Sequence, residues 1–239
     1  VSEDFGANWK NIGNSLPSEP INVIKEDPQN ENVLYVGTDH GLYISLDKGA
    51  TFQRFSAKLP SVAVHDVAVH PTESDLIIGT HGRSLYIANV KEIQASNEAI
   101  LKSGIHIFDV NKIKARNWGN HVQIFEKPDT ISLAIPVFAG QSGKAKFQVK
   151  SEKGLLLHSF ESELAAGFNY PEYHLIFNEN VKEAYETELN INAKEKDKEI
   201  PRKIKLKKAE DGNWYLKAGK YSVLIEFNGE KAEGKFEIE

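Results

Sequence analysis

The segment 79–86 carries the side chains with the most evident chemistry in the chain. Its sequence, Gly-Thr-His-Gly-Arg-Ser-Leu-Tyr, sets His81 and Arg83 two residues apart. A guanidinium can hold a carboxylate through two parallel hydrogen bonds, and an imidazole can act as a hydrogen-bond partner or as an acid and base near neutral pH. We therefore predict that His81 and Arg83 bind an acidic ligand. The alternative is a turn that only supports its own backbone.

Carboxylates that could work in pairs are few. A glycosidase needs two carboxyl groups about 5–10 Å apart, and Asp39 could pair with Asp66 or with Asp75. The sequence does not distinguish these three acids from acids that hold turns or face solvent. We therefore predict no catalytic residue in this chain.

Metal ligands are also sparse. Cysteine is absent, which removes every thiolate site. Four histidines recur at related positions: His40, His65, His70 and His81. They lack the close His-x-His or His-x-x-x-His spacing of many metal sites, so we predict no metal. The oxygen-rich segment 27–32 could hold calcium or simply form a turn, and we predict no cofactor.

The composition excludes several other classes of function. The chain has 239 residues and a formal net charge of -5, whereas nucleic-acid binders usually show a basic footprint. No apolar run approaches the ~20 residues that span a bilayer. The sequence contains neither a nucleophile elbow nor a phosphate-binding glycine loop. We therefore predict no nucleic-acid partner and no membrane span.

Two octapeptides, 43 residues apart, give the first part of the chain its periodicity. Residues 2–9 read SEDFGANW and residues 45–52 read SLDKGATF. The aspartate can accept hydrogen bonds from nearby backbone N–H groups, and the glycine two residues later permits a positive φ. We expect each octapeptide to lock a hairpin. The residues expected to do so are Ser2, Asp4, Gly6, Trp9, Ser45, Asp47, Gly49 and Phe52.

The similarity continues between the octapeptides. The further matches are Leu16-Pro17 with Leu59-Pro60, Asp27-Pro28 with His70-Pro71, and Tyr43-Ile44 with Tyr86-Ile87. Short β-rich runs bounded by Gly, Asp and Asn occupy each unit. A period of about 40–45 residues with several strands is typical of a propeller blade. We predict two blades over residues 1–89.

The periodicity stops after Asn89. Residues 90–104 favour a connector with short helical turns, in which Asn97 can cap 98–101. Strand patterns then return without the repeat and predict a β-sandwich over 105–239. The strands are expected at 105–110, 122–125, 131–138, 145–149, 155–160, 173–177, 214–216, 221–227 and 234–238. The predicted fold class is all-β.

One helix interrupts the sandwich. Val181, Ala184, Tyr185 and Leu189 lie at helical spacing, and Asn180 could cap that helix. The stretch 194–211 is dense in charges of both signs, which favours a solvated hairpin over a nucleic-acid or membrane patch. We expect residues 179–211 to form a helical and charged insertion.

Two of the three tryptophans leave two interpretations open. Trp118 or Trp214 could stack on sugar rings if it were exposed on a sandwich face. Since strand residues flank each of them, we expect both in the core.

The octapeptide resembles the Asp-box, or bacterial neuraminidase repeat, Ser-x-Asp-x-Gly-x-Thr-Trp. The first copy departs from it at Asn8 and the second at Phe52. The resemblance implies a propeller in which the boxes are fold elements, away from the catalytic face of sialidases. A sialidase site would need three arginines for the substrate carboxylate. The arginines here are scattered at positions 54, 83, 116 and 202, so no such site is expected.

The order of segments resembles the C-terminal portion of bacterial sortilin-like and glycosyl-hydrolase-like propeller proteins. Segment 80–83 resembles part of their last blade, and segment 105–108 resembles a stretch that follows a short connector. Segments 166–169 and 219–225 resemble their sandwich patterns Ala-Gly-x-Asn and Gly-x-Tyr-x-Val-x-Leu. The resemblance implies the last two Asp-box blades followed by an immunoglobulin-like sandwich. It also implies a secreted, cell-surface or periplasmic bacterial protein.

Two functions follow as expectations. The first is a non-catalytic module that binds a protein or glycan, or that assembles with other domains. The second is part of a glycoside hydrolase whose catalytic residues lie upstream. Two blades cannot close a ring of about 4–8, and the chain starts at Val1 without methionine, so we expect a piece of a longer protein. The remaining blades, in the same protein or a second chain, are the expected partners.

Overall fold

A computed structural model describes residues 1–55, 59–120, 131–196 and 203–239, without the side chains of 193–196. Within these ranges the chain is almost entirely β, as predicted. Its contacts divide it into two compact units, Val1–Leu101 and Lys102–Glu239. No helix in the described ranges is both long and apolar enough to cross a membrane.

The first unit contains two antiparallel sheets, in which strands that are neighbours along the chain are also neighbours in space. One sheet has the order β1-β2-β3-β4 and the other β5-β6-β7. The strands are β1 (Ile21–Glu26), β2 (Leu34–Thr38), β3 (Gly41–Ser45), β4 (Gln53–Arg54), β5 (Val64–Val69), β6 (Asp75–Thr80) and β7 (Leu85–Asn89). Short meanders of this kind are the form of propeller blades.

The sequence of the middle strands explains where the core of this unit lies. Leu42 and Ile44 of β3 and Tyr35 and Val36 of β2 are all buried. Because β2 is covered on both faces, its sequence is a continuous apolar run rather than an alternating one. In β6 only Leu76 and Ile78 are buried, so that strand keeps the two-residue alternation of a sheet with one covered face.

Two single-turn helices end the first unit: α1 (Lys91–Gln94) and α2 (Glu98–Leu101). The Ile100 N–H donates a hydrogen bond to Asn97 Oδ1 at 3.0 Å. Asn97 therefore caps α2, which confirms that prediction.

The second unit is a β-sandwich. One sheet has the order β12-β11-β15-β16, a facing sheet has β13-β10-β8, and β14 pairs with β9. The strands are β8 (Ile105–Ile107), β9 (Leu133–Ala134), β10 (Val137–Ala139), β11 (Gly143–Ser151), β12 (Leu156–Leu164), β13 (Gly167–Asn169), β14 (Glu172–Tyr173), β15 (Gly219–Phe227) and β16 (Glu230–Ile238). One core combines Ile105 and Val137 of one sheet with Phe147 and Val223 of the other.

The helix of the second unit begins differently from the prediction. A 3₁₀ turn (Glu179–Val181) leads into α3 (Lys182–Lys196). Asn180 lies inside that turn, so the prediction that it caps the helix is wrong; Asn178 precedes the turn and makes no side-chain capping bond. Tyr185 of α3 is buried in the sandwich core, so the helix packs on the sandwich through an aromatic anchor.

Residues 203–211 also differ from the expected solvated hairpin. Leu206 is buried in the core, and its N–H donates to Glu186 Oε1 of α3 at 2.6 Å. The Ile204 N–H donates to Asn190 Oδ1 at 2.8 Å. These contacts hold this part of the charged stretch against α3. Residues 197–202, and the strand predicted at 122–125, lie outside the described residues.

Candidate functional site at the turn end of the blades

The two sheets of the first unit have two different ends. At one end β2 turns into β3 through residues 38–41 and β6 turns into β7 through residues 80–84. β1 and β5 start at this end, since Ile21 pairs with Thr38 and Val64 pairs with Thr80. We name this the turn end. The second octapeptide joins β3 to β4 at the opposite end, which we name the octapeptide end.

Each octapeptide is closed by the same set of hydrogen bonds. Asp47 accepts from the Ser45 hydroxyl at 2.8 Å and from the Thr51 N–H and hydroxyl at 2.8 and 2.6 Å. Asp4 accepts from the Ser2 hydroxyl at 2.8 Å and from the Asn8 N–H and side-chain amide at 2.8 and 2.6 Å. In the first octapeptide, Asn8 takes the place that Thr51 has in the second, because its side-chain amide supplies an equivalent donor.

Residues 1–10 have the geometry of a β3–β4 hairpin. The Val1 amine donates to the Lys10 carbonyl and the Lys10 N–H donates to the Val1 carbonyl, both at 2.8 Å. Ile44 and Gln53, one repeat later, pair in the same way across β3 and β4. The first octapeptide therefore repeats the backbone arrangement of the second, and both are turn locks at the octapeptide end rather than ligand contacts at the turn end.

Acid is expected to open the first octapeptide only at very low pH. The backbone N–H of Asn8, then its side chain and Ser2, lower the pKa of Asp4 from 3.8 to about 2. A carboxyl group whose pKa is lower in the folded than in the unfolded state stabilises the fold at pH values above its unfolded pKa. This stabilisation is lost as the pH falls through the folded-state pKa. We expect the Asn8 amide to stay hydrogen-bonded at pH 3 and to be released near pH 2, measured by its NMR shift. Release near pH 4, or the same titration in Asp4→Asn, would contradict this.

Gly49→Ala is expected to cost more stability than Gly6→Ala, although both glycines have a positive φ, +86° and +92°. A Cβ on Gly49 would lie 2.6 Å from Ile12 Cδ1, whereas one on Gly6 would meet only Trp9 at 3.8 Å. Backbone strain of about 1–2 kcal/mol applies to both, and overpacking adds about 1–3 kcal/mol at Gly49 alone. Hydrogen exchange of first-unit amides measures the difference. Equal losses in the two variants would show that Ile12 does not constrain this position.

Threonine side chains hold both turns at the turn end. Thr38 Oγ1 donates to the Gly41 carbonyl at 3.1 Å, and Thr80 Oγ1 donates to the Ser84 carbonyl at 2.6 Å. The second turn is one residue longer than the first, and Gly82 and Ser84 take positive φ values of +71° and +79°. This longer turn projects the two predicted binding residues.

His81 and Arg83 are both exposed in the second turn. The backbone supports the turn, since the His81 N–H donates to the Ala63 carbonyl at 2.9 Å. Among the described residues, the Arg83 side chain has no hydrogen bond or ion pair, and the His81 ring contacts only the His65 ring, at 5.3 Å between centroids. The turn therefore forms without these side chains, which leaves both available to a ligand.

The first turn carries a polar network that the sequence did not single out. His40 is hydrogen-bonded to Glu19, whose side chain is only 11% exposed. Asp39 Oδ1 accepts from the Asn22 side-chain amide at 3.0 Å, and the His40 carbonyl accepts from Arg54 at 3.3 Å. Asp39, His40 and Arg54 thus each have a hydrogen-bond partner at this turn, whereas Glu19 Oε1 is buried without one among the described residues.

The first strand of each sheet, β1 or β5, is called the innermost strand. A β-bulge near the start of each of them places one polar residue beside the adjacent turn. The register shifts between Ile21 and Val23 in β1 and between Val64 and Asp66 in β5, which makes Asn22 and His65 the extra residues. Bulges often re-aim a side chain next to a functional site. The 43-residue spacing between Asn22 and His65 is the sequence signal that could have identified these two positions.

The three acids considered for glycosidase chemistry each accept a local hydrogen bond, and Asp75 lies far from Asp39. Asp75 begins β6 and accepts from the Asn89 side chain at 3.0 Å. It lies at the octapeptide end, five strand residues or about 17 Å from the turn end where Asp39 lies. Asp66 Oδ1 accepts from its neighbour, the Val67 N–H, at 2.9 Å. Each acid thus has a local structural partner.

Asp27, in the segment 27–32 that was considered for calcium, is the central acceptor of a buried hydrogen-bond network. We call this network the hub. Asp27 is 3% exposed. Its Oδ1 accepts from the N–H groups of Gln29 and Asn30 at 2.8 and 3.1 Å, and its Oδ2 accepts from the Tyr35 hydroxyl at 3.0 Å. The Gln94 side-chain amide of α1 donates to both oxygens at 3.1 and 2.9 Å. Burial, together with the charge of Asp27, raises the pKa of Tyr35 well above its usual value. Protein donors therefore occupy both carboxylate oxygens.

His70 fills the equivalent place in the second sheet. Its Nδ1 accepts from the N–H groups of Thr72 and Glu73 at 3.3 and 3.1 Å. These two residues lie one repeat after Gln29 and Asn30, whose N–H groups donate to Asp27. An imidazole nitrogen can replace a carboxylate oxygen here because the turn needs only an acceptor. This role explains why the sequence aligns Asp27-Pro28 with His70-Pro71.

The tryptophans of the sandwich are not free platforms for sugars. Trp118 is buried, with its ring 6.2 Å from that of Tyr215. Trp214 is half-buried, and the ammonium groups of Lys182 and Lys208 lie 5.5 and 6.0 Å from its ring centroid. These contacts confirm the core position for Trp118, while cation–π contacts with two lysines cover Trp214.

One face of the second sheet is exposed where the first sheet is covered. In the first sheet Tyr35 pairs with Ile44 and Gly37 with Leu42; in the second Ile77 pairs with Ile87 and Gly79 with Leu85. Tyr35, Leu42 and Ile44 are 0%, 0% and 4% exposed, whereas Leu85 and Ile87 are 68% and 70% exposed. We name Ile77, Leu85 and Ile87 the free face.

The structure shows what covers the equivalent face of the first sheet. A Cβ on Gly37 would lie 2.8 Å from the carbonyl oxygen of Val64 and 2.8 Å from the Cγ1 atom of Val64. The innermost strand β5 of the next sheet therefore packs directly onto that face, over a position where only glycine leaves room. Gly79 occupies the same position on the free face, where its nearest neighbours belong to its own sheet.

Comparison with known proteins identifies a relative for the first unit. Residues 1–107 match the family model described as Sortilin-Vps10, sortilin, neurotensin receptor 3. No curated protein gives a significant match. Among solved structures, Drosophila Semaphorin 2a overlays at 11% identity and a TM-score of 0.23, over 91% of this chain and 35% of that one. The chain thus spans about a third of the semaphorin chain, and an overlay at that score does not define a shared fold.

The first unit is of β-propeller type and is similar to the sortilin family. The family match, which covers less than half of the chain, coincides with the unit that contains the two blade-like sheets. Both the propeller and the sortilin-like resemblance predicted from the sequence are confirmed at this level.

Proposed function

We propose that the chain is the C-terminal part of an extracytoplasmic bacterial propeller protein, and that it binds a protein or glycan ligand without catalysing a reaction. One observation carries the proposal: the second turn presents the exposed side chains of His81 and Arg83, while its backbone is held by other groups. A binding residue that the fold does not itself require is what a recognition surface needs.

The ligand group that fits this turn is a carboxylate. Arg83 can offer a planar pair of N–H donors to both carboxylate oxygens, and His81 can donate a further hydrogen bond. At the neighbouring first turn, Asp39 accepts from Asn22 and Glu19 contacts His40, and neither forms an ion pair with Arg83. An acidic sugar or an acidic peptide side chain would supply this group.

Arrays of sialylated and uronic-acid glycans and of acidic peptides, probed with the whole chain, test this proposal. We expect Arg83→Ala to lose the bound ligands and Arg116→Ala, which changes an exposed arginine of the second unit, to keep them. Loss of about 1.5–3 kcal/mol of binding energy is typical of a hydrogen bond to a charged group. Equal binding by Arg83→Ala and the unchanged chain would contradict the proposal.

The alternative function, part of a glycoside hydrolase, has a separate readout. Two catalytic carboxylates must flank the scissile bond, and the acids of the first unit are held by local partners. Release of reducing sugar from the glycans that bind would favour the hydrolase and overturn the non-catalytic proposal.

We propose the following organisation for the chain. Residues 1–89 form the final two Asp-box blades of an incomplete propeller, 90–104 a connector, and 105–239 an immunoglobulin-like sandwich with a helical and charged insertion near 179–211. The octapeptide hydrogen bonds support the Asp-box assignment. In the sandwich, the Tyr221 hydroxyl at the start of β15 donates to the Lys217 carbonyl four residues upstream, as in the tyrosine corner of immunoglobulin-like domains.

We also propose that a further blade of the same repeat covers the free face. Support comes from the first sheet, where the equivalent residues are buried under β5. Ile77, Leu85 and Ile87 would bury a comparable apolar area beneath the innermost strand of that blade. The remaining blades of the parent protein, or of a second chain, are the partners that fit this surface.

A further inference from the structure

We infer that His65 and His81 form a two-nitrogen site for a divalent transition-metal ion such as Zn²⁺, with its remaining positions open. This site goes beyond the proposed function and does not depend on it. The two imidazole rings lie side by side at the turn end, with centroids 5.3 Å apart and planes inclined by 54°. Both residues are exposed.

The ring separation fits a shared ion. Two imidazole nitrogens bound to one tetrahedral zinc ion at about 2.1 Å place the two ring centroids about 5.2 Å apart. The observed centroid separation of 5.3 Å is close to that value.

The repeat shows that this pair occupies a place built for side-chain contact. In the first sheet the bulge residue Asn22 donates its amide to Asp39 in the adjacent turn at 3.0 Å. In the second sheet the bulge residue His65 meets His81 in the adjacent turn. The same framework thus joins a donor to an acceptor in one sheet and brings together two metal-ligating side chains in the other.

The ring nitrogens of the second pair are available to a ligand. Asn22 donates one hydrogen bond to Asp39, but neither His65 nor His81 has a side-chain hydrogen bond to another described residue. Imidazole nitrogens suit Zn²⁺, Ni²⁺ and Cu²⁺. Within the described ranges no third His, Asp or Glu completes the set, so water or a donor group from a bound ligand would occupy the other positions.

Calorimetric titration of the whole chain with Zn²⁺, and separately with Cu²⁺, at pH 7.5 tests this site. We expect one ion per chain, and at least a ~10-fold weaker association in both His65→Ala and His81→Ala, since even loss of a supporting residue usually has that effect. His40→Ala and His70→Ala are the matched histidine controls in the same unit and should bind as the unchanged chain does. Because His65 and His81 are exposed, their variants should keep the circular dichroism of the unchanged chain.

A second readout does not depend on affinity. The electron paramagnetic resonance spectrum of the Cu²⁺ complex should show two coordinated nitrogens, and one in either single variant. Absence of binding, equal binding by His65→Ala or His81→Ala, or the same loss in His70→Ala would overturn the inference. Arg83→Ala should retain the ion, so failure of the metal site and failure of the proposed carboxylate site are distinguishable.

Discussion

Asp27→Ala is expected to destabilise the first unit by about 3–5 kcal/mol, because a buried donor left without its acceptor costs about 1–3 kcal/mol and several donors are affected. The carboxylate accepts from Gln29, Asn30, Tyr35 and Gln94, and all four donors would lose their acceptor. The Gln94 contact also fixes α1 to the turn after β1, so the expected loss includes the order of the helical segment. Since small domains are stable by only about 5–15 kcal/mol, much of the unit should open.

The matched change is Asp39→Ala, which removes a half-buried aspartate that accepts one hydrogen bond from the Asn22 side-chain amide. We expect it to cost about 0.5–1.5 kcal/mol, as for an ordinary hydrogen bond. Hydrogen exchange followed by mass spectrometry separates first-unit amides from those of the sandwich. Protection of β2 and α1 in Asp27→Ala similar to that in Asp39→Ala would show that the hub is not a major source of stability.

The second large effect is expected from Ile44→Thr, compared with Ile87→Thr at the equivalent position of the second sheet. Threonine keeps the β-branch that strands favour, so the comparison reports burial rather than strand propensity. Ile44 is 4% exposed, and its replacement should cost about 2–4 kcal/mol through lost packing and a buried hydroxyl. Ile87 is 70% exposed, and surface changes usually stay within ~0.5 kcal/mol.

This comparison probes the asymmetry between a covered sheet and an uncovered one. Urea unfolding monitored by first-unit hydrogen exchange gives both free energies of unfolding. Both variants are compared at a protein concentration where the chain is monomeric, and similar losses there would mean that the free face is covered in the monomer.

The repeat made most of the first unit predictable. Serine, aspartate and glycine at fixed offsets require a particular hairpin, and the hydrogen bonds of Asp4 and Asp47 are the ones that these residue types favour. β1 was not predicted, because five of its six residues are exposed and its sequence INVIKE does not alternate. Innermost strands of this kind depend on neighbouring sheets more than on their own pattern.

The candidate site was predictable only in part. His81 and Arg83 were identified because they lie in one recognisable turn, and their exposure was not evident from sequence. Glu19 and Asn22 were missed, and the contact of His65 with His81 was not foreseen, because these contacts depend on strand register and on bulges, which periodicity does not reveal. The role of Asp27 depends on Gln94, which is 67 residues away along the chain.

The two ends of the blades carry separate tasks in this account. At the octapeptide end, both octapeptides form the same hydrogen bonds and close hairpins. The aspartates Asp4 and Asp47 accept those bonds from local donors. At the turn end, the second turn differs from the first in length and leaves its side chains without protein partners. Repetition therefore accounts for the fold, and departure from repetition marks the candidate binding residues.

We propose that the first unit is an incomplete propeller whose free face is shaped for another blade. Sedimentation velocity of the whole chain and of Ile87→Lys, over a concentration series, tests it most directly, with Ile191→Lys as a control for another exposed isoleucine, in α3. Uncovered apolar patches promote association, so we predict concentration-dependent association that Ile87→Lys abolishes and Ile191→Lys preserves. A monomer at every concentration, or association that Ile87→Lys leaves unchanged, would contradict the account.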